Sequence, residues 1–184
     1  MKQPTLAELE AGLDAIGQAP KDEGILRLIV RRPQHGQREV LQEGRLDLTE
    51  GLVGDNWKTR GNPQMPSLET QITVINLRVI ALLAQTQERW PLAGDQLFLD
   101  LDLSKENVPP GTRLSLGSAV IEVTPPPHTG CKKFMGHFGP EALQFVNSPT
   151  GKQLQLRGIN AKVIQPGVIR VGDVARKLAQ VKCD

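Results

Sequence analysis

Cys131 is the residue of this 184-residue chain whose type and surroundings point most directly to chemistry. It follows three consecutive prolines, Pro125 to Pro127, and is flanked by His128, Lys132, Lys133 and His137. Cations near a thiol favour the thiolate, the form that attacks electrophiles, carries sulfur and binds soft metals. The competing structural reading is a small core side chain, because unpaired cysteines are among the most buried residue types. His128, Cys131 and His137, with His35 as a fourth, also form a set of zinc-type donors, although structural zinc sites normally show tighter paired spacings. Cys183, the other cysteine, adjoins the last residue and reads as part of a frayed tail. Two cysteines are too few for a disulfide framework, which suits a reducing compartment.

The elements around Cys131 read mainly as β. Thr5 and Glu8 form a capping box ahead of Leu6, Leu9, Leu13 and Ile16, which predicts a helix over 5–16. Pro20 to Gly24 reads as a linker and Ile25 to Val30 as a strand. Leu97, Leu99, Leu101 and Leu103 alternate with Phe98, Asp100, Asp102 and Ser104, the period of a strand with one buried and one largely polar face. Leu114 to Val123 predicts a hairpin turning at Gly117-Ser118. Residues 161–171 predict a second hairpin at Pro166-Gly167. Further strands are expected near 38–46 and 71–75, and helices over 77–88 and 140–146, the latter stopped by Ser148-Pro149. Many short strands punctuated by Gly and Pro predict a mainly β, α+β architecture, a barrel with a few short helices.

Two long irregular stretches interrupt this pattern, Gly54 to Ser67 and Thr124 to Gly139, and loops of that length are more often functional. The pairs Gly54-Asp55, Gly94-Asp95 and Gly172-Asp173 read as turn punctuation. Asn107 and Asn147 read as turn formers, and Asp100 and Asp102 as the wet face of a strand.

Composition narrows the functional classes. Hydrophobic residues make up 39% and charged residues 23%, an ordinary globular balance. With 22 Lys and Arg against 20 Asp and Glu the net charge is +2, too small for a general nucleic-acid or lipid footprint. Four Phe, two Trp and no Tyr leave little for stacking on unpaired bases. The longest apolar region, Ile72 to Ala84, is broken by Asn76 and Arg78, which argues against a membrane span. Glu8 and Glu10 stand where a secretory signal is apolar. The expectation is a cytoplasmic protein with no nucleic-acid or membrane partner.

The stretch GDQLFLDLDLSKENVPPGTRLSLGSAVIEVTPPPHTGCKKF, from Gly94 to Phe134, followed by FVNSPTGKQLQLRGINAKVIQPGVIRVGD, resembles a MOSC domain, the family named after the C-terminal domain of molybdenum cofactor sulfurase. The resemblance is to the small stand-alone bacterial members, and GLVGDNW (Gly51 to Trp57) extends it upstream. Where many members carry a His-Gly-Gly run, this chain reads RGNPQMPSLETQITVIN. The resemblance implies a MOSC-type β-barrel over 24–178, with a helix and linker over 1–23 and a tail over 179–184.

It further implies that Cys131, after the G-x-A-V-x-E-V-T strand, is the functional residue, carrying sulfur as a persulfide or binding molybdenum directly. The implied cofactor is the molybdenum cofactor, a phosphorylated pterin. Lys58, Arg60, His128, Lys132, Lys133, Arg157 and Asn160 are the expected cationic and hydrogen-bonding donors for it. A pyridoxal-phosphate desulfurase does not fit within this length, so the implied partners are a cysteine desulfurase or other sulfur donor, and a molybdoenzyme or the cofactor itself. The activity implied is sulfur transfer or cofactor-dependent reduction. A non-catalytic scaffold or a zinc-stabilised barrel is the alternative.

Overall fold

The computed structural model of the chain describes residues 3–59 and 66–179. Helices α1 (Leu6–Ala11) and α2 (Leu13–Gly17) lead into strands β1 (Glu23–Arg31), β2 (Glu39–Leu41), β3 (Glu43–Asp47) and β4 (Gly51–Leu52). Strand β5 (Ile72–Asn76) runs directly into α3 (Leu77–Ala84), and β6 (Leu97–Asp100), β7 (Arg113–Leu116) and β8 (Ala119–Val123) follow. Three short helices, α4 (Lys132–Phe138), α5 (Pro140–Asn147) and α6 (Pro149–Gln153), precede β9 (Ile159–Gln165), β10 (Gly167–Arg170) and β11 (Val174–Lys177).

Seven strands close a barrel in the order β1, β6, β5, β9, β8, β7, β11 and back to β1. Closure places Glu23 opposite Arg176 and Ile25 opposite Val174, so neither β1 nor β11 is left as an open edge there. Within the ring only β5 and β6 run parallel. Strand β2 extends the sheet from β1, and β10, β3 and β4 form a separate three-stranded sheet.

Strand alternation divides the apolar residues between two cores. Leu26, Ile29, Leu97, Leu99, Ile121 and Ile159 belong to the barrel core. Leu28, Val30, Ile75 and Phe98 belong to a second core with Val79, Ile80, Phe134, Phe138 and Phe145 of the helices. Part of the barrel wall is therefore covered on both faces. The predicted wet face of the 97–103 strand does not form: Phe98 is fully buried against the helical layer. The strand ends at Asp100, whose carboxylate accepts from Arg78 Nε at 2.8 Å.

The other local expectations divide. The Thr5–Glu8 capping box is present, but the helix breaks at Gly12 into α1 and α2. The hairpin at Gly117-Ser118 is present, with Gly117 at φ +57° and Leu116 opposite Ala119. The predicted 161–171 hairpin is absent: β9 pairs with β5 and β8, whereas β10 pairs with β3. Pro166 lies where the chain passes from one sheet to the other, and its missing N–H suits that change of partners. Helix α3 stops at Ala84 instead of running to 88, with Gln85 in the left-handed region. The 38–46 strand splits into β2 and β3, and Pro149 opens α6 as well as ending α5, because Ser148 caps the new helix by accepting from Gly151 N at 2.9 Å.

Candidate functional site

Cys131 is exposed and unpaired at the N-cap of α4, where the loop from β8 enters the helical layer. The loop is fixed at several points. Thr124 Oγ1 donates to Glu69 O at 2.5 Å, and Asn160 Nδ2 donates to Pro126 O at 3.0 Å. His128 Nδ1 lies 3.4 Å from Asp95 Oδ1. Immediately before the cysteine, Asn147 clamps Gly130 from both sides, accepting from its N–H at 2.9 Å and donating to its carbonyl at 3.1 Å. A side chain at 130 would press on the ends of Leu143 and Val146, which would have to shift to admit it. The thiol is thus solvent-accessible while its backbone is held.

Beneath the loop is a buried ionic pair. Asp95 is fully buried and accepts from Arg157 Nη1 at 2.7 Å, while Arg157 Nη2 donates to Ala93 O at 2.9 Å. The Arg157 guanidinium also lies 4.9 Å from the ring centroid of Phe134, on the first turn of α4. Arg157, Asp95, Asn147 and Asn160 hold the cysteine loop in place. The aspartates of two Gly-Asp pairs do more than punctuate turns: Gly54 and Gly94 take positive φ, and Asp55 and Asp95 each bind a buried arginine.

That second arginine, Arg32, floors a cleft of about 650 Å³ between the β1–β2 connection and α4. Its Nε and Nη2 donate to Asp55 at 2.8 and 2.7 Å, and Nη1 donates to Gly94 O at 2.6 Å. His35, Arg38, Asn56, Thr59 and Lys133 also line this cleft. Burial, then repulsion from Arg32, lowers the basicity of the Arg38 guanidinium below its ordinary value, against a weaker pull from Asp55 and Asp95. Lys133 Nζ lies 2.8 Å from His35 Nε2. A second cleft of about 360 Å³ is lined by His128, Lys105, Lys152 and Gln155, with Pro127 and Thr129 of the cysteine loop.

The expected site residues therefore separate. Lys133 lines the cationic cleft and His128 the smaller one. Arg157 and Asn160 are buried behind the loop, and Lys58 and Lys132 are exposed. Arg60 and Cys183 lie outside the described residues. His35, Cys131, His128 and His137 make no zinc site: no group of three or more His, Cys, Asp or Glu among the described residues is placed to hold a metal ion. Local sequence marks Arg32 and Arg38 as cleft residues only through the basic run Arg31-Arg32 at the end of β1. Asn147 and Asp95 read as turn residues, and nothing local marks either as reaching the cysteine loop. No helix among the described residues is long and apolar enough to cross a membrane.

The family model of the MOSC domain matches residues 67–176, more than half of the chain, and the chain belongs to this family. The barrel superposes on solved structures that share it. The YuaD protein of Bacillus subtilis aligns with a TM-score of 0.63 at 15% identity, over 86% of this chain and 97% of that one. YiiM from Escherichia coli aligns with a TM-score of 0.57 at 20% identity, over 85% and 71%. YiiM from Geobacillus stearothermophilus gives a TM-score of 0.54 at 16% identity, over 87% and 75%. No curated protein sequence matches the chain.

Proposed function

We propose that this MOSC protein handles the molybdenum cofactor through the thiolate of Cys131. The observation that carries the reading is an accessible thiol on a backbone pinned by Asn147, Asn160 and Asp95. Accessibility favours sulfur relay, because a donor protein must reach the sulfur. The Cys131 thiolate attacks the outer sulfur of a persulfide on a cysteine desulfurase or similar donor, forming the Cys131 S–S bond and releasing the donor's thiolate. A thiolate on the acceptor protein then attacks that outer sulfur and takes it as its own persulfide, while Cys131 leaves as the thiolate.

The cationic cleft favours a second reading, cofactor-dependent reduction, in which a bound cofactor stays on the chain. The residues present fit a phosphorylated pterin: Arg38 and Lys133 supply charge for the phosphate. Asn56 Oδ1, buried and without a hydrogen-bond partner among the described residues, is an acceptor for a ring N–H. When bound, the cofactor supplies two-electron redox chemistry at molybdenum, with Cys131 as a soft ligand. Lys58 and Lys132 are exposed and next in sequence to residues in or beside the cleft lining, while His128, Arg157 and Asn160 keep the cysteine loop in place.

The test is Cys131→Ser. At an exposed position the change should move stability by no more than about 0.5 kcal/mol. The variant should gain no sulfur mass on incubation with a cysteine desulfurase and cysteine, and should carry no molybdenum when purified from a molybdenum-replete host. Sulfur gained by the wild type without retained molybdenum marks the relay, and stoichiometric molybdenum marks the reductase. A variant that acquires sulfur or molybdenum as the wild type does would refute both.

A further inference from the structure

We propose that the smaller cleft, of about 360 Å³, is a binding site for a small organic acid, a carboxylate that also carries a hydrogen-bond donor, held beside Cys131. The proposal rests on neither sulfur transfer nor molybdenum. Three segments wall the cleft: Lys105 after β6, Pro127 to Thr129 of the cysteine loop, and Gly151 and Lys152 of α6 with Gln155 and Gly158 beyond it. These walls are bonded to one another and to the body of the protein. Lys105 N donates to Gln153 O at 3.0 Å and Gln155 Nε2 donates to Leu103 O at 2.6 Å, which ties the first segment to the third. The cysteine loop is held from behind by Asn147 and Asn160, and the His128 ring stands with Nδ1 3.4 Å from Asp95. The cleft is thus formed before a ligand arrives, as small-molecule sites usually are.

The lining selects the ligand. Lys105 and Lys152 bring two ammonium groups to it, and no lining residue is acidic. Among the described residues no carboxylate lies within ion-pair distance of either lysine. Gln155 adds a requirement beyond charge. It takes φ +50°, a left-handed backbone that suits glycine and that residues with a side chain ordinarily avoid. What glutamine contributes at that position is its amide: with Nε2 spent on Leu103 O, the group left for a ligand is Oε1, an acceptor. An acceptor among cations fits a molecule that is negative at one end and donates a hydrogen bond nearby. An ammonium group would be repelled by the two lysines, so a hydroxy acid fits better than an amino acid. Pro127 and Val146 offer an apolar wall to the carbon body. Thr129 and Cys131 are two residues apart, so their Cα atoms are separated by at most about 7 Å, which brings an occupant of the cleft beside the cysteine.

Amide NMR shifts of the full chain, followed at constant ionic strength as lactate is added, test the site, with propionate as the probe lacking the hydroxyl and lactamide as the probe lacking the charge. Lactate should shift the amides of Lys105, Thr129, Lys152, Gln155 and Gly158 to saturation. Propionate should need a severalfold higher concentration, and lactamide should leave these amides in place. The double variant Lys105→Gln, Lys152→Gln changes two exposed side chains, so it should melt like the wild type while binding lactate at least about fivefold more weakly. Saturating lactate should also slow the alkylation of Cys131 by iodoacetamide in the wild type, and the same lactate concentration should slow it less in the double variant. The absence of a saturable lactate shift, lactamide binding as well as lactate, or undiminished binding in the double variant overturns the site. Propionate binding as well as lactate overturns the part given to Gln155, and alkylation unchanged by bound lactate overturns the placement beside the thiol. Each of these failures leaves sulfur and molybdenum at Cys131 untouched, since the Cys131→Ser comparison reads those separately.

Discussion

Arg157 and Asp95 illustrate how much a single pairing can decide at the scale of the residue. Both side chains are buried and their charges meet at 2.7 Å, with His128 Nδ1 3.4 Å from the other carboxylate oxygen and Ala93 O accepting from the guanidinium. Removing the arginine takes the directly bonded cation from a carboxylate that is fully buried. Arg157→Ala should therefore destabilise the protein by about 3–5 kcal/mol, read as a lowered midpoint in urea unfolding. Replacing both partners with apolar residues of similar volume should recover most of the loss, because the unpaired charge and not the missing contact area is the dominant penalty. A drop of well under 1 kcal/mol in the single variant would mean that water or another cation reaches Asp95.

At the scale of the element, the loop from β8 to α4 takes its position from its neighbours and not from its own sequence. Asn147, the last residue of α5, replaces the strand-like hydrogen bonds that Gly130 lacks. Asn147→Ala leaves a donor and an acceptor of Gly130 without their partner and should cost about 1–3 kcal/mol. Backbone amide exchange should quicken around residues 129–132, while β8 and β9 stay protected. Unchanged exchange at Gly130 would show that the clamp is not what orders the loop.

Strand β8 contributes a second test at this scale, because Glu122 bridges its neighbours, accepting from Arg113 of β7 and Lys162 of β9. Burial raises the Glu122 carboxyl, but the hydrogen bonds from Lys162 and Arg113 outweigh it and the net shift is downward. A carboxyl held lower in the folded state stabilises the protein above its unfolded value of about 4.3. That stabilisation is lost as pH falls through the folded value. Glu122→Gln should melt below the wild type at pH 7, with the gap shrinking in acid. A gap that persists unchanged to about pH 2 would assign the difference to packing instead.

For the whole molecule, the barrel depends on β11, the last strand to be made, which pairs with both β1 and β7. A chain ending at Arg170 loses this staple and exposes two strand edges at once. Size-exclusion chromatography should show association or aggregation of that truncated chain, and its thermal unfolding should lose cooperativity. A monomeric, cooperatively melting truncation would show that the ring need not close for the two cores to form.

What the sequence determined by itself follows from local rules. The Thr5–Glu8 cap and the Gly117-Ser118 turn each rest on residues a few positions apart, and the β-rich punctuation and the motif order around Cys131 are properties of the linear sequence, so each is legible as written. What only the tertiary structure decided depends on residues far apart in the chain. Residues 161–171 look like a hairpin, but β9 and β10 take partners in different sheets. Phe98 looks solvent-facing, but the helical layer covers it. Arg157 is expected as a cofactor donor and Arg32 carries no local mark, but Asp95 and Asp55, 62 and 23 positions away, bury them as pairs. Pattern reports which face of an element is apolar, whereas the identity of the partner on that face is fixed by barrel closure and by the matching of buried charges.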